Sequence, residues 1–187
     1  SVPTRRSSDL FDLWYADIQD GVATTSVRDF DSLFHHYVGL EPPECVHQKE
    51  CGPYVVVEHN GNAYSCDFFV EPRHRLGNIR HNRIIDMLNS KKQDDFGKAK
   101  ALLPRKCKQC RWYHKCYGGC TKDRIKDPQD QRQPRFCLAY QMLFEHADER
   151  LKKLADDWQM RQSDYAQSQR TGGVFDASDY FLKNLKR

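Results

Sequence analysis

Eight cysteines in 187 residues are the part of this sequence most able to do chemistry. Cys45, Cys51, Cys66, Cys107, Cys110, Cys116, Cys120 and Cys137 follow the spacing C-x5-C-x14-C-x40-C-x2-C-x5-C-x3-C-x16-C. Thiolates are soft donors that hold zinc or iron-sulfur cores, and a tight turn can aim two of them, two residues apart as at Cys107 and Cys110, at one metal. Eight thiols divide into two sets of four. Gly118 and Gly119 lie between Cys116 and Cys120, where the lack of a Cβ lets the backbone approach a bulky inorganic core. Lys106, Lys108, Arg111, Lys115, Lys122 and Arg124 crowd the same stretch. A [4Fe-4S] core with four thiolates carries about −2, so two would carry roughly −4. That nearly cancels the chain's formal charge of +4. Two four-thiolate zinc sites are the rival use of the octet, although zinc ribbons usually show two C-x2-C knuckles and only one is present. A disulfide framework is a third reading. His35, His36, His47, His59, His74, His81, His114 and His146 are scattered without ligand spacing and read as surface or turn residues.

Composition narrows the setting. The length suits one domain, or one with an appendage. Hydrophobic residues make up 39%, against roughly 45–50% in ordinary globular domains, so the core should be thin. Charged residues reach 30% and the mean hydropathy is −0.85. No stretch reaches the roughly 20 apolar residues of a membrane span, or resembles a secretory signal. These features predict a soluble, cytoplasmic protein with no membrane partner, and in a reducing compartment thiols are held by metal rather than by disulfides. The mixed +4 is too weak to argue for nucleic acid. A noncatalytic double-zinc module binding a protein or nucleic acid would draw on the basic run from Cys107 to Lys126 with Trp112, Tyr113 and Tyr117. Such runs are more often a solvated face or a counter-charge. No P-loop, G-x-S-x-G or H-E-x-x-H motif is present.

The elements that must position the thiols follow from periodicity. Residues 1–10 show no period, and Thr4 to Leu10 reads like a translated sequencing adapter, so this segment is set aside as artefactual or disordered. Phe11, Leu13, Trp14 and Ile18 fit one helical face, Ala23 to Val27 is a β-branched run, and Leu33, Phe34, Tyr37 and Val38 fit a second helix closed by Gly39 and Pro42. Helix, strand, helix over residues 11–41 suggests the last piece of an α/β unit. Tyr54 to Glu58 and Ala63 to Cys66 flank Asn60-Gly61, which predicts a hairpin with a two-residue type I′ turn and Cys66 opposite Val55. The hairpin returns Cys66 toward Cys51. Strand alternation then sends Asp67 to the face opposite Cys66. Ile84 to Leu88 is a short helix, and Phe96 to Leu103 a further element stopped by Pro104. Phe136, Tyr140, Leu143, Phe144, Ala147, Leu151, Leu154, Ala155 and Trp158 predict one long helix. Residues 159–187 read as a linker with a small Val174, Phe175, Tyr180, Phe181, Leu182 cluster.

Three stretches then carry a resemblance: the C-x5-C-x14-C opening with YVVVEHNGNAYSCDFFV over 54–70, Leu76-Gly77-Asn78-Ile79, and CKQCRWYHKCYGGCTKDR over 107–124. They look like the C-terminal SPASM domain of the anaerobic sulfatase-maturating enzymes, members of the radical S-adenosylmethionine family, over roughly residues 42–158. The fold implied is α+β: a small cysteine-rich iron-sulfur domain with a β-hairpin and a long C-terminal helix, preceded at 11–41 by a remnant of the radical barrel. The resemblance implies two auxiliary [4Fe-4S] clusters, one on Cys45, Cys51, Cys66 and Cys120, the other on Cys107, Cys110, Cys116 and Cys137. It implies an oxidoreductase that converts a Cys or Ser in an unfolded sulfatase segment to Cα-formylglycine, with Asp67 as the base and a flavodoxin or ferredoxin as reductant. The S-adenosylmethionine and its own [4Fe-4S] cluster would belong to an N-terminal barrel. The C-x3-C-x2-C motif for that cluster is absent, since Cys116-x3-Cys120 is followed at the third place by Asp123. The chain therefore reads as a C-terminal fragment that should be inactive alone. Another peptide-modifying radical enzyme is the nearest alternative.

Overall fold

In the computed structural model, residues 3–19, 21–125 and 133–170 are described. The chain opens with α1 (Pro3–Ala16), a hairpin of β1 (Ile18–Gln19) and β2 (Val22–Ala23), and α2 (Arg28–His35). A three-stranded antiparallel sheet follows, β3 (Val56–Val57), β4 (Asn62–Tyr64) and β5 (Arg75–Asn78), with β4 central. Next come α3 (Ile84–Leu88), α4 (Lys91–Ala99), α5 (Arg105–Lys108) and α6 (Tyr113–Cys116). The strands β6 (Arg124–Ile125) and β7 (Gln133–Pro134) pair before α7 (Cys137–Arg170). Among the described residues no helix is long and apolar enough to cross a membrane.

The apolar core lies where three helices meet. Phe11 and Trp14 of α1, Phe30 and Leu33 of α2, and Phe144, Ala147, Leu151 and Leu154 of α7 are buried together with Trp112. The α7 residues recur at three- and four-residue steps, the stripe that one helical face presents. Burying each large side chain contributes roughly 1.5–3 kcal/mol. Rings interlock edge to face at the centre, with Phe11 and Phe30 centroids 5.4 Å apart. At the rim, His146 and Arg150 of α7 both reach Asp12 of α1. Cys110 and Cys116 pack against this core, so the rigid part of the molecule backs part of the cysteine constellation.

Several elements differ from their sequence patterns. The helix α1 runs through residues 3–10, where no period is visible. The run from Ala23 to Val27 does not form a barrel-type strand. Only Ala23 pairs, with Ile18, and the Thr24 hydroxyl and Thr25 N–H turn instead to the Asp17 carboxylate, the latter at 2.8 Å. Local side-chain acceptors of this kind compete with strand pairing. The expected barrel piece is thus a helix, a two-residue hairpin and a helix.

The second hairpin shifts by one residue. Val57 pairs with Ala63 and Val56 with Tyr64. The Glu58 N–H donates to the Asn62 carbonyl at 2.9 Å and the Gly61 N–H to the Glu58 carbonyl at 2.8 Å, leaving a three-residue loop, His59 to Gly61. Gly61 takes φ +85, the left-handed residue that such loops place before the returning strand. A third strand, β5, covers the other edge of β4. At the far end, α7 continues to Arg170 rather than giving way to a linker at Gln159. The Val174 to Leu182 cluster lies outside the described residues.

Candidate metal centre

One face of α4 builds the surroundings of the first cysteine group. Ser90 caps this helix, its hydroxyl accepting from the Gln93 N–H at 3.2 Å, a favoured N-cap arrangement. Gln93, Gly97 and Lys100 then follow at four- and three-residue steps, on one side of the helix. The Gln93 amide donates to the carbonyls of Tyr54 at 2.9 Å and Ser65 at 3.4 Å, clamping the open end of the hairpin beside Cys66. Gly97 lies against Cys51: its carbonyl accepts from the Cys51 N–H at 3.1 Å, and a Cβ there would come 3.0 Å from the Cys51 carbonyl oxygen. The Lys100 ammonium donates to the backbone carbonyls of Cys45, Val46 and Gln48. Electrostatically, Cys51 feels Lys100, Cys45, Cys120 and Cys66. These four thiols form one neighbourhood.

The second group converges on a cavity of about 390 Å³ whose walls include Cys107, Cys110, Cys116 and Cys137. Cys107 sits on α5, Cys110 on the turn after it, Cys116 at the end of α6 and Cys137 at the first residue of α7. A helix N-terminus favours a thiolate. Gln141, one turn into α7, donates toward Cys137 Sγ at 3.6 Å and Cys110 Sγ at 3.8 Å. On the outer side of α6, the Lys115 ammonium and the Tyr37 hydroxyl both donate to Asp148 of α7, at 3.0 and 2.7 Å, so α6 is held against α7. Cys107 responds electrostatically to Cys137, Cys116 and Cys110.

A left-handed reversal separates Cys116 from Cys120. Tyr117, Gly118 and Gly119 have φ of 44, 74 and 60 degrees. A Cβ on Gly118 would come 2.3 Å from Leu103 Cδ2. Three residues of this hand turn the chain sharply, so Cys116 faces the second group while Cys120 joins Cys45 and Cys51. Burial raises the thiols of Cys45, Cys66, Cys116 and Cys137, and pushes Cys51 and Cys107 up to about 11. Without a metal these groups stay protonated at neutral pH.

The donor chemistry fits iron-sulfur cores. All eight cysteines are free and none is fully exposed. Among the described residues, no three His, Cys, Asp or Glu side chains are placed to grip a single ion. Four thiolates on one zinc must meet about 2.3 Å from a common point; a cubane spreads them over four irons. The cavity framed by four cysteines is the arrangement a cubane needs.

Asp67 does not lie on the face opposite Cys66. The strand β4 ends at Tyr64, and residues Asp67–Phe69 form a 3-10 turn. The turn brings the Asp67 carboxylate back to accept from Cys66 Sγ at 3.2 Å, with the residue still exposed. Phe69 packs edge-on to Phe96 of α4, with 5.4 Å between centroids, which fastens this turn to the helix. The Tyr54 hydroxyl is 3.2 Å from the same sulfur. His47 is a further correction: it is buried at 3% exposure, its Nδ1 is 3.4 Å from the Lys115 carbonyl, and burial lowers its pKa. Lys100, Gln93 and Gln141 carry no motif or spacing that marks them. Tyr54 was visible only as a strand residue.

The model of the SPASM family, an iron-sulfur cluster-binding domain, matches residues 49–111. The chain is 35% identical over 140 residues to a serine-type anaerobic sulfatase-maturating enzyme of Bacteroides thetaiotaomicron, covering 73% of this chain and 33% of that protein. It is 34% identical over 155 residues to a cysteine-type anaerobic sulfatase-maturating enzyme of Clostridium perfringens, covering 82% of this chain and 42% of the relative. The solved structure of native anSMEcpe with bound AdoMet and Kp18Cys peptide matches with a TM-score of 0.73 at 32% identity, over 82% of this chain and 42% of that one. The chain spans well under half the length of these relatives. Residues 49–111 thus match the SPASM family of iron-sulfur cluster-binding domains, in a chain that is similar to part of the length of the anaerobic sulfatase-maturating enzymes.

Proposed function

We propose that this chain is the C-terminal electron-relay and substrate-positioning part of a radical S-adenosylmethionine oxidoreductase that converts a Cys or Ser of a sulfatase to Cα-formylglycine. The observation that carries the reading is the division of eight thiols into two neighbourhoods, Cys45, Cys51, Cys66 and Cys120 on one side and Cys107, Cys110, Cys116 and Cys137 on the other. Each quartet holds one [4Fe-4S] cluster. When bound, these clusters supply an electron acceptor, while the radical chemistry belongs to an S-adenosylmethionine barrel outside this segment. The chain's span of 33% and 42% of its two relatives supports that assignment.

Asp67 takes the proton from the substrate's thiol or hydroxyl. Its carboxylate is exposed and adjoins a cluster ligand, so the proton and the electron leave the substrate toward neighbouring groups. A base must come within hydrogen-bond reach of the proton that it removes, and the turn fastened by Phe69 holds Asp67 at the surface. A flexible sulfatase segment is the substrate, which the peptide-bound relative supports, and a flavodoxin or ferredoxin supplies electrons. Serine-type and cysteine-type relatives match at 35% and 34% identity, which supports a determinant of target type elsewhere in the enzyme.

The test is Asp67→Asn in the enzyme restored to full length. Iron and sulfide content should match the parent while formylglycine formation on a sulfatase peptide falls by two orders of magnitude or more, within the range for general-base catalysis, roughly 10²–10⁴-fold. Unchanged turnover with intact clusters would remove Asp67 from the mechanism.

A further inference from the structure

Lys100 is an ammonium that the fold buries beside one of the two cysteine groups. It is 1% exposed. Its Nζ donates to the Cys45 carbonyl at 2.5 Å, to the Val46 carbonyl at 3.2 Å and to the Gln48 carbonyl. Three carbonyls satisfy three N–H groups, but they carry no net charge. The sulfurs that act on it are those of Cys51, Cys45 and Cys120, which become negative when they ligate a cluster, with the Arg124 cation opposing. Taking a lone ammonium out of water costs several kcal/mol, and a methionine of similar length would fill the same space without that cost. At the second group the cations stand differently: Lys106 lines the cavity wall and acts on Cys137, Arg124 acts on Cys107, and the neutral amide of Gln141 donates toward Cys110 and Cys137.

Resting on the two-cluster reading, we propose that Lys100 is the internal counter-cation of the cluster held by Cys45, Cys51, Cys66 and Cys120, a positioning residue that favours that cluster's reduced form. The lysine pins the loop from Cys45 to Gln48 through its backbone, which sets where Cys45 sits. Its charge lies in a dry, low-dielectric place where a buried charge acts more strongly than on the surface. Cluster potentials respond to net charge, hydrogen bonding and exposure, and each electron added to a four-thiolate core raises its negative charge by one. A fixed positive charge therefore favours the reduced state. The electron comes from the substrate-derived radical of the proposed reaction, and Lys100 gains and loses no proton in the step. The consequence is local: the cluster beside Asp67 and Lys100 is a better acceptor than it would be with a neutral side chain at position 100.

The experiment reads iron content and both cluster midpoints, by anaerobic spectroelectrochemistry on the reconstituted chain, for the parent, Lys100→Met, Lys100→Gln and Lys100→Arg. Parent protein without about eight irons would refute the two-cluster reading itself, separately from this inference. With eight irons in place, the neutral variants should shift one midpoint negative by a tenfold or greater change in reduction equilibrium, about 59 mV for one electron. The other midpoint should hold, and Lys100→Arg should stay close to the parent. If neither neutral variant retains its first cluster while Lys100→Arg does, the positive charge is required to hold that cluster, which also supports the inference. Two unmoved midpoints in a fully loaded neutral variant would overturn it, as would an equal shift of both.

Discussion

Gly118→Ala tests the reversal that sends Cys116 and Cys120 to different groups, and its cost can be worked from geometry. Gly118 has φ +74, a region that costs an L-residue roughly 1–2 kcal/mol. The new methyl would also stand 2.3 Å from Leu103 Cδ2, a contact no pair of carbon atoms tolerates. Leu103 is itself buried at 8% exposure, so it cannot swing into solvent, and overpacking of this kind costs about 1–3 kcal/mol. The two effects together come to about 2–5 kcal/mol, a large share of the roughly 5–15 kcal/mol that folded domains possess. For a chain of this size the melting midpoint should fall by about 4–20 °C. Gly119→Ala supplies a control, because φ there is similar at +60 but the nearest atom, Tyr140 Cε2, is 3.1 Å away. It should pay the backbone strain with little of the clash. Thermal unfolding of the anaerobically loaded chain, followed by circular dichroism and by cluster absorbance, measures both. Adding Leu103→Ala to Gly118→Ala should recover the clash part relative to Leu103→Ala alone. Equal melting of Gly118→Ala and the parent, or a larger loss in Gly119→Ala, would refute this reasoning.

Further outcomes follow from the same geometry. Cys45→Ala and Cys137→Ala should each lower iron content by about half, and the double variant should hold none; a full loss from either single change would contradict separate quartets. Asp148→Asn should cost about 1–3 kcal/mol and loosen retention of the cluster lined by Cys116, because through that carboxylate Lys115 holds α6, and Tyr37 the segment after α2, against α7. Loading should strengthen as pH rises: Cys51 and Cys107 are pushed up to about 11 by burial, and each must shed a proton on coordination. A thiophilic ion such as cadmium should therefore bind more tightly at pH 9 than at pH 6, and a flat profile would contradict buried, protonated thiols. Chelating the iron should unfold the region between Cys45 and Cys120 before the α1, α2 and α7 core, which hydrogen exchange resolves residue by residue.

What could be read from the sequence depended on which signal each residue obeys. The α7 helix and the α1–α2 core follow apolar periodicity, so Phe144, Ala147, Leu151 and Leu154 were visible. The octet of cysteines announced itself by type. The face of α4 that builds the first group is Gln93, Gly97 and Lys100, two polar residues and a glycine, and a pattern search for apolar stripes passes over it. Hairpin register was missed by one residue because Asn60-Gly61 serves equally a two-residue turn and a three-residue loop ending in a left-handed glycine. Asp67 was misplaced for a related reason: strand alternation holds only while the strand lasts, and β4 ends at Tyr64. The β-branched run at 23–27 has strand propensity, but Asp17 captures Thr24 and Thr25 first.

The central claim is that two cubanes are held by two separate quartets of thiolates. Anaerobic reconstitution with iron and sulfide, followed by elemental analysis and Mössbauer spectroscopy of the purified chain, tests it most directly. The account expects about eight irons and eight sulfides per chain, with spectra of two [4Fe-4S] clusters. A colourless protein retaining about two zinc ions, or one with half that iron and four free thiols, would contradict it.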